Sequence, residues 1–515
     1  MARALLIAVA ALALAAPAHA GGPTMLIGAA EDLVKQSDPV KAKAQLDLAK
    51  LGGLDAIRVT QVWAPGDKAP TAGSLKVAHT VVDAAQLDGV RVFVSILNFG
   101  SRTTPLSSDD RDDFSAYAAA LAKELPGVTD FIVGNEPNLN RYWLPQFGPG
   151  GEDVAAPAYE QLLAQTYDAI KRVAPDARVW GGALAPRGID RPNTGRDTHS
   201  PTAFIQDLGA AYTASGRTTP IMDGFAFHPY GDSSSTPPDF QHPTSTSIGI
   251  GDYGKLTALL DAAFGPGLPI VYDEYGVDTT IPAAKASLYT GTEPATTKPV
   301  DEATQAAYYR DAIQIAFCQP RVAGLFLFHT VDEPGLAQWQ SGLYYIDDTP
   351  KLSRNVVAVA AGQAHRGVIV VCPGLRLRVT ASVDAKGMLH CDLDCAYVAR
   401  LQKLPKRSTT FVVHGSATGG IPKTIRKRAH GRRTASFTCA IGPPVVGGAV
   451  DSGSRRNSKT RIAPSRAGTA NIQRQLRKWA KRPAPRLPPA VPTATEASTS
   501  AMTACRRSNP TMSPI

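Results

Sequence analysis

After residue 20 the chain holds no apolar run of the ~18 residues or more that a membrane-spanning helix needs, so no membrane span is expected. It has no G-x-S-x-G turn, which removes the central element of an esterase of the α/β-hydrolase kind. Cysteine is nearly missing from the first two thirds: Cys318 stands alone there, and Cys372, Cys391, Cys395, Cys439 and Cys505 follow later. Cys391 and Cys395 are separated by three residues rather than two, and no His-x-His or second Cys pair accompanies them, which argues against zinc. Acidic residues are what the C-terminal part lacks. From Arg366 onward there are 27 Lys+Arg but 5 Asp+Glu, which leaves 27 against 39 before it. The overall net charge of +10 is therefore the average of two unlike parts, and it gives no ground for a nucleic-acid partner.

The N-terminus carries Arg3, an apolar stretch over 4–16 and then Pro17-Ala18-His19-Ala20, the pattern of a short signal-peptide core with a small-x-small cleavage site. Residues 1–20 are expected to be a secretory signal and the mature protein to be secreted, extracellular or cell-wall associated. In that compartment disulfides are the expected state of the cysteines. Past about Thr424 periodic apolar patterning ends and the chain becomes rich in Arg, Pro, Ser and Thr, which predicts a disordered basic tail over 425–515. Such a tail can contact anionic cell-surface polymers. Between 366 and 424 the alternating segment GLRLRVTASV and the run TTFVVHGSA predict a small β-rich accessory domain.

Residues 21–365 alternate short apolar runs with longer helical ones. Strands are expected at 24–29, 56–63, 91–97, 130–134, 178–183, 224–228, 269–273 and 324–329. Between them lie segments with apolar residues at i, i+3, i+4, such as DDFSAYAAALAKEL and YEQLLAQTYDAIKRVA. Ser107 or Ser108 is placed to cap the first of these, ahead of Asp109-Asp110. Eight such units read as an α/β fold of the (β/α)8 TIM-barrel class. The stretch GIGDYG matches a dinucleotide-binding glycine pattern, but it follows polar QHPTSTS rather than a strand and is expected to be a flexible loop leading into a helix.

In such a barrel the reacting groups stand at the C-terminal ends of the strands. Those ends supply Glu31 or Asp32, Arg58, Asn98, Asn135 with Glu136, His228 with Tyr230, Glu274 with Tyr275, and His329 with Asp332. Glu136 and Glu274 follow apolar runs directly, in FIVGNE and PIVYDE, which places both on rigid scaffold. Pro137 is expected to keep Glu136 extended. Asp273 is expected on the outer face or in a structural hydrogen bond, because alternate strand residues point opposite ways. Two carboxyls across one barrel mouth are the equipment of glycoside hydrolysis, in which one must hold a proton and the other must stay ionised. Arg58 and Tyr230 are candidates to hold the ionised one.

Asn135-Glu136-Pro137 after the fourth strand, His228-x-Tyr230 after the sixth and Glu274 in DEYG after the seventh resemble the pattern of the clan A glycoside hydrolases, the cellulase-like retaining enzymes. The resemblance covers about residues 24–360. It implies Glu136 as acid/base, Glu274 as nucleophile and Asn135 as a contact to the substrate's 2-hydroxyl. It also implies Arg58 and Tyr230 beside the nucleophile and His228 in the sugar-binding subsite. Tyr142, Trp143 and Trp339 are candidate sugar platforms. The function expected is retaining hydrolysis of a β-linked oligosaccharide or polysaccharide with no cofactor and no metal. Two other readings are a non-catalytic carbohydrate-binding barrel and a cell-wall-associated adhesin.

Overall fold

The computed structural model describes residues 21–369, and beyond them only the backbone of eight short strands. Along the first part run β1 (Leu26–Ala30), α1 (Pro39–Leu51), β2 (Ala56–Trp63), α2 (Ala72–Asp88), β3 (Arg91–Asn98), α3 (Ser108–Glu124), β4 (Asp130–Val133) and α4 (Ala155–Val173). They are followed by β5 (Arg178–Leu184), α5 (Pro201–Ala214), β6 (Gly224–Phe227), α6 (Tyr253–Phe264), β7 (Ile270–Tyr275), α7 (Glu302–Phe317), β8 (Val322–Leu327) and α8 (Leu352–His365). The strands form a closed parallel barrel in sequence order, which β1 and β8 seal through the pairs Leu26↔Gly324 and Gly28↔Phe326. The fold is thus the (β/α)8 barrel that the alternation of segments predicts. All eight expected strands are present, with ends that move by one to two residues.

Local chemistry explains the helix starts. Ser107 caps α3 by accepting from the backbone N–H of Asp110 at 3.0 Å, and Thr71, Ser200 and Asp301 cap α2, α5 and α7 in the same way. The GIGDYG stretch forms a 3-10 turn (Ile250–Asp252) that runs into α6, with the Gly249 N–H held on the Asp252 carboxylate at 2.8 Å.

Two apolar layers make the core. The larger lies between strands and helices, and the smaller fills the barrel with Ala56, Phe93, Ile132, Trp180, Ala183, Ala226, Val271 and Phe326. Phe326 meets Phe93 edge-on at 4.8 Å. Gly28 leaves room for it, since a Cβ there would come within 2.7 Å of the Phe326 ring. Below this plug, at the N-terminal ends of the strands, the fully buried Asp130 carboxylate takes Arg91 at 2.6 Å, Arg178 at 2.8 Å and the Trp180 indole N–H at 3.0 Å. Strand side chains alternate, so the residues two places beyond the plug also point inward, at the mouth. Among them are Arg58, Ser95, His228 and Asp273.

The eight later strands, β9 (Ala381–Val383), β10 (Met388–Cys391), β11 (Ala396–Arg400), β12 (Thr409–Gly415), β13 (Lys423–Ala429), β14 (Thr434–Thr438), β15 (Gly448–Ser452) and β16 (Arg461–Pro464), form a five-stranded and a three-stranded sheet. The expected signal segment and the cysteine pairings of the C-terminal part fall outside the described residues, as do all side chains of the accessory region. The stretch expected to be a disordered tail does so only in part, because most of β13 and all of β14, β15 and β16 lie within it, strands that the sequence reading did not expect there. Among the described residues no helix is long and apolar enough to cross a membrane.

Candidate active site

Arg58 enters the mouth from β2 with a side chain only 2 % exposed. Its Nη1 donates to Glu274 Oε1 at 2.6 Å, and its Nη2 donates to Ser95 Oγ at 3.2 Å and to Asn135 Oδ1 at 3.3 Å. Its Nε lies 3.5 Å from Asp273 Oδ2. The planar guanidinium thus fixes groups from β3, β4 and β7 at once, which a lysine ammonium cannot do in one geometry. The Asn135 carbonyl oxygen is thus committed to Arg58, which fixes the orientation of its amide.

Glu136 corrects the sequence reading. It is not extended but left-handed, with φ of 43°. Two backbone hydrogen bonds hold it there: its N–H donates to Ala183 O at 2.8 Å and its carbonyl accepts from the Leu139 N–H at 2.9 Å. Gly134, also at positive φ (84°), makes the turn into it with Tyr159 packed close below. Such conformations in a non-glycine residue cost about 1–3 kcal/mol and persist where the surroundings over-determine them.

His228 closes the centre. The ring is fully buried, with Nδ1 3.1 Å from Glu136 Oε1 and 3.5 Å from Glu274 Oε2, and Nε2 3.3 Å from Asp273 Oδ2. Burial alone would lower its proton affinity, but Glu274, Asp273 and Glu136 outweigh burial and push its pKa up to about 10. In its charged form the ring donates from both nitrogens. His228 is therefore a bridge between carboxylates, buried beneath the mouth of the barrel.

Of the two readings offered for Asp273, the structural hydrogen bond holds, through His228 Nε2 at 3.3 Å, and the outer face does not. Asp273 is fully buried inside the barrel, two places beyond Val271. Burial opposes its ionisation, yet His228 and Arg58 hold its carboxyl below the usual aspartate value. A regular strand would then send Glu274 outward. The register of β7 against β8 is irregular between Tyr272 and Tyr275, and this break turns Glu274 into the same cavity. The inward phase set by Val271 was the available signal for Asp273.

Aromatic residues form one wall. The Tyr230 hydroxyl donates to Glu274 Oε2 at 2.9 Å, and burial with the neighbouring carboxylates keeps the phenol protonated. The Tyr230 ring stacks on Trp339 at 5.0 Å and 29°, and the half-buried Phe328 stands edge-on to both. Trp339 thus reaches the site from the loop after β8. Phe328, which sequence reading passed over, joins it. Tyr142 is partly buried near Glu136 and Glu274, whose charges add to burial in raising its pKa. Trp143 is no platform: it is 1 % exposed and packs edge-on against Tyr159 at 5.8 Å.

The remaining strand ends hold loops in place. Glu31 accepts from the backbone N–H groups of Leu33, Thr330 and Val331, and Asn98 donates to the carbonyls of Gly100 and Tyr142. Asp32 receives the Thr60 N–H, and His329 Nδ1 lies 2.6 Å from Ala30 O. Asp332 takes the buried Lys351 ammonium at 2.7 Å and the Tyr289 hydroxyl at 2.7 Å. Among the described residues no group of three or more His, Cys, Asp or Glu is arranged to hold a metal ion.

No protein-family model matches the chain, and no curated protein matches it. Among solved structures it is similar to a family 39 glycoside hydrolase from the gut symbiont Bacteroides cellulosilyticus WH2, at 18 % identity and a TM-score of 0.49 over 84 % of this chain and 82 % of that one. It is also similar to a GH5_18 protein from Streptomyces cattleya in complex with GlcNAc, at 18 % identity and 0.47 over 70 % and 84 %. A glucosidase from Croceicoccus marinus matches at 12 % identity and 0.47 over 86 % and 97 %. At these values the likeness adds nothing to what the side chains show by themselves.

Proposed function

We propose that the protein is an exported retaining glycoside hydrolase that cleaves a β-linked glycan by double displacement. One observation carries this reading. A single atom, His228 Nδ1, lies 3.1 Å from Glu136 and 3.5 Å from Glu274, so the two oxygens are at most about 6.6 Å apart. That ceiling admits the short carboxyl separation of a double displacement and excludes most of the wider range. Retaining enzymes hold their carboxyls about 5–5.5 Å apart, whereas inverting ones need about 6.5–9.5 Å to admit a water.

The surroundings assign the roles. Glu274 has its two oxygens fixed by a guanidinium and a phenol, which orients it as the nucleophile for the anomeric carbon. Glu136 meets one nitrogen, and its more exposed side chain is the one placed to protonate the leaving oxygen and then to take a proton from water. Asn135 binds a ring hydroxyl, and Trp339, Phe328 and Tyr142 offer faces to the sugar. Export rests on the N-terminal apolar pattern, and disulfides among the later cysteines suit that compartment.

Incubation with activated 2-deoxy-2-fluoro β-glycosides tests the reading, with mass spectrometry of the intact protein and its peptides. The expected result is one glycosyl ester on Glu274 and a β-configured first product. A first product of α configuration would overturn the assignment. Binding of glycans with no turnover by the wild type favours the non-catalytic alternative.

A further inference from the structure

Asp273 has no role in the two-carboxylate reaction, yet it is a fully buried acid one residue from the nucleophile. One of its oxygens, Oδ1, has no hydrogen-bond partner, and the other faces His228 Nε2 at 3.3 Å and Arg58 Nε at 3.5 Å. A charge kept dry in this way needs a reason. The imidazole supplies one, because its other nitrogen contacts Glu136. With Nε2–H directed to Asp273, Nδ1 has two states toward Glu136. Protonated, it donates to a Glu136 carboxylate; bare, it accepts from a Glu136 carboxylic acid. The proton count is the same in both.

We propose that Asp273 is a positioning residue for the hydrolytic reaction, acting through His228 to hold the proton that Glu136 delivers to the leaving group. The inference rests on the glycosidase reading above. In the first displacement the bond from the anomeric carbon to the leaving oxygen breaks and a bond to Glu274 forms. The proton shared by Nδ1 and Glu136 ends on the leaving oxygen. In the second, water oxygen bonds to the anomeric carbon, the Glu274 ester bond breaks, and a water proton returns to the pair. Asp273 gains and loses nothing. Its charge stabilises the protonated pair and keeps it loaded into the alkaline range.

Every charged or titratable group around the ring has a place in this account. Glu136 faces it from the loop after β4, and Asp273 and Glu274 face it from β7. Arg58 reaches both β7 carboxylates from β2. Tyr230 stands edge-on at 6.3 Å, and the Tyr159 hydroxyl is held by Val133 O and Gly182 N. Glu274 is committed to Arg58 and Tyr230, so the remaining partner for the Nδ1 proton is Glu136.

The test is the pH profile of kcat/KM for wild type and Asp273→Asn on two substrates, an alkyl glycoside and an aryl glycoside with an acidic phenol. The amide still accepts from Nε2–H but carries no charge. The alkaline limb on the alkyl substrate is expected to fall by about one pH unit or more, with a much smaller change on the aryl substrate, which needs little protonation. A loss of the same factor at every pH and on both substrates, with the limb unmoved, overturns the proposal. A second measurement stands if Asp273→Asn does not fold: nitrogen NMR of labelled histidine in the wild type, with His228→Gln to assign the signal. An imidazolium persisting well above pH 6.5 supports the role. A neutral ring with a bare Nε2 at that pH overturns it. A wild type that traps no glycosyl ester and cleaves nothing fails the hydrolase reading itself, and a charged His228 in that protein shows the bridge without the chemistry.

Discussion

Arg58 and His228 set two positive charges among the three carboxylates of Glu136, Asp273 and Glu274, in a cavity lined by side chains that are nearly all buried. Acidic groups outnumber basic ones there, the balance that suits an oxocarbenium-like transition state. Glu274→Ala is expected to abolish turnover. Glu136→Ala is expected to keep measurable hydrolysis of aryl glycosides with acidic leaving groups, and azide should rescue it as a β-glycosyl azide visible by NMR. Arg58→Ala leaves buried acids without their cation, which costs about 3–5 kcal/mol and is read as a lower urea midpoint. His228 gives a pH signature of its own. Its folded pKa, about 10, lies above the ordinary value of 6.5, so its contribution to stability is fully present below about pH 6.5 and is lost as pH rises through 10. Urea midpoints of the wild type should therefore drop across that window, and those of His228→Gln should drop less.

At the scale of elements, the loop after β8 carries the aromatic wall, and a buried ion pair anchors it. Lys351 and Asp332, both with fully buried side chains, meet at 2.7 Å, and Lys351 also donates to Thr279 Oγ1 and Gln340 O beside Trp339. Lys351→Met is expected to cost about 3–5 kcal/mol by leaving Asp332 uncompensated. It is also expected to raise KM more than it lowers kcat, since Trp339 then loses its support while Glu136 and Glu274 do not. Steady-state kinetics at a temperature where the variant is folded distinguishes the two effects. The strands were legible because a barrel strand buried on both faces writes itself as an apolar run, as in FIVG and PIVY. The turn at Glu136 was not. Proline after it removes one conformation only, and the choice among the rest was made by Ala183 and Leu139, a strand and a turn away.

For the whole molecule, the barrel closes within the described residues, with β1 paired to β8 and α8 ending at His365. Removal of residues 425–515 is expected to leave hydrolysis by the barrel unchanged, measured as kcat/KM on an aryl glycoside. Loss of activity on that deletion would favour the adhesin reading, in which the basic segment does the work.

The sequence by itself determined the barrel and the strand ends at which Glu136 and Glu274 stand, and it offered Arg58 and Tyr230 as candidates to hold the second of them. These follow from local pattern, because apolar runs, caps and spacing need no distant partner to be read. Only the tertiary structure decided that His228 is a bridge, that Asp273 faces inward, that Trp143 is core and that Phe328 and Trp339 meet Tyr230. Each of those depends on strand phase, on a break in register or on a loop from elsewhere in the chain, and such choices are made by packing between residues far apart in sequence.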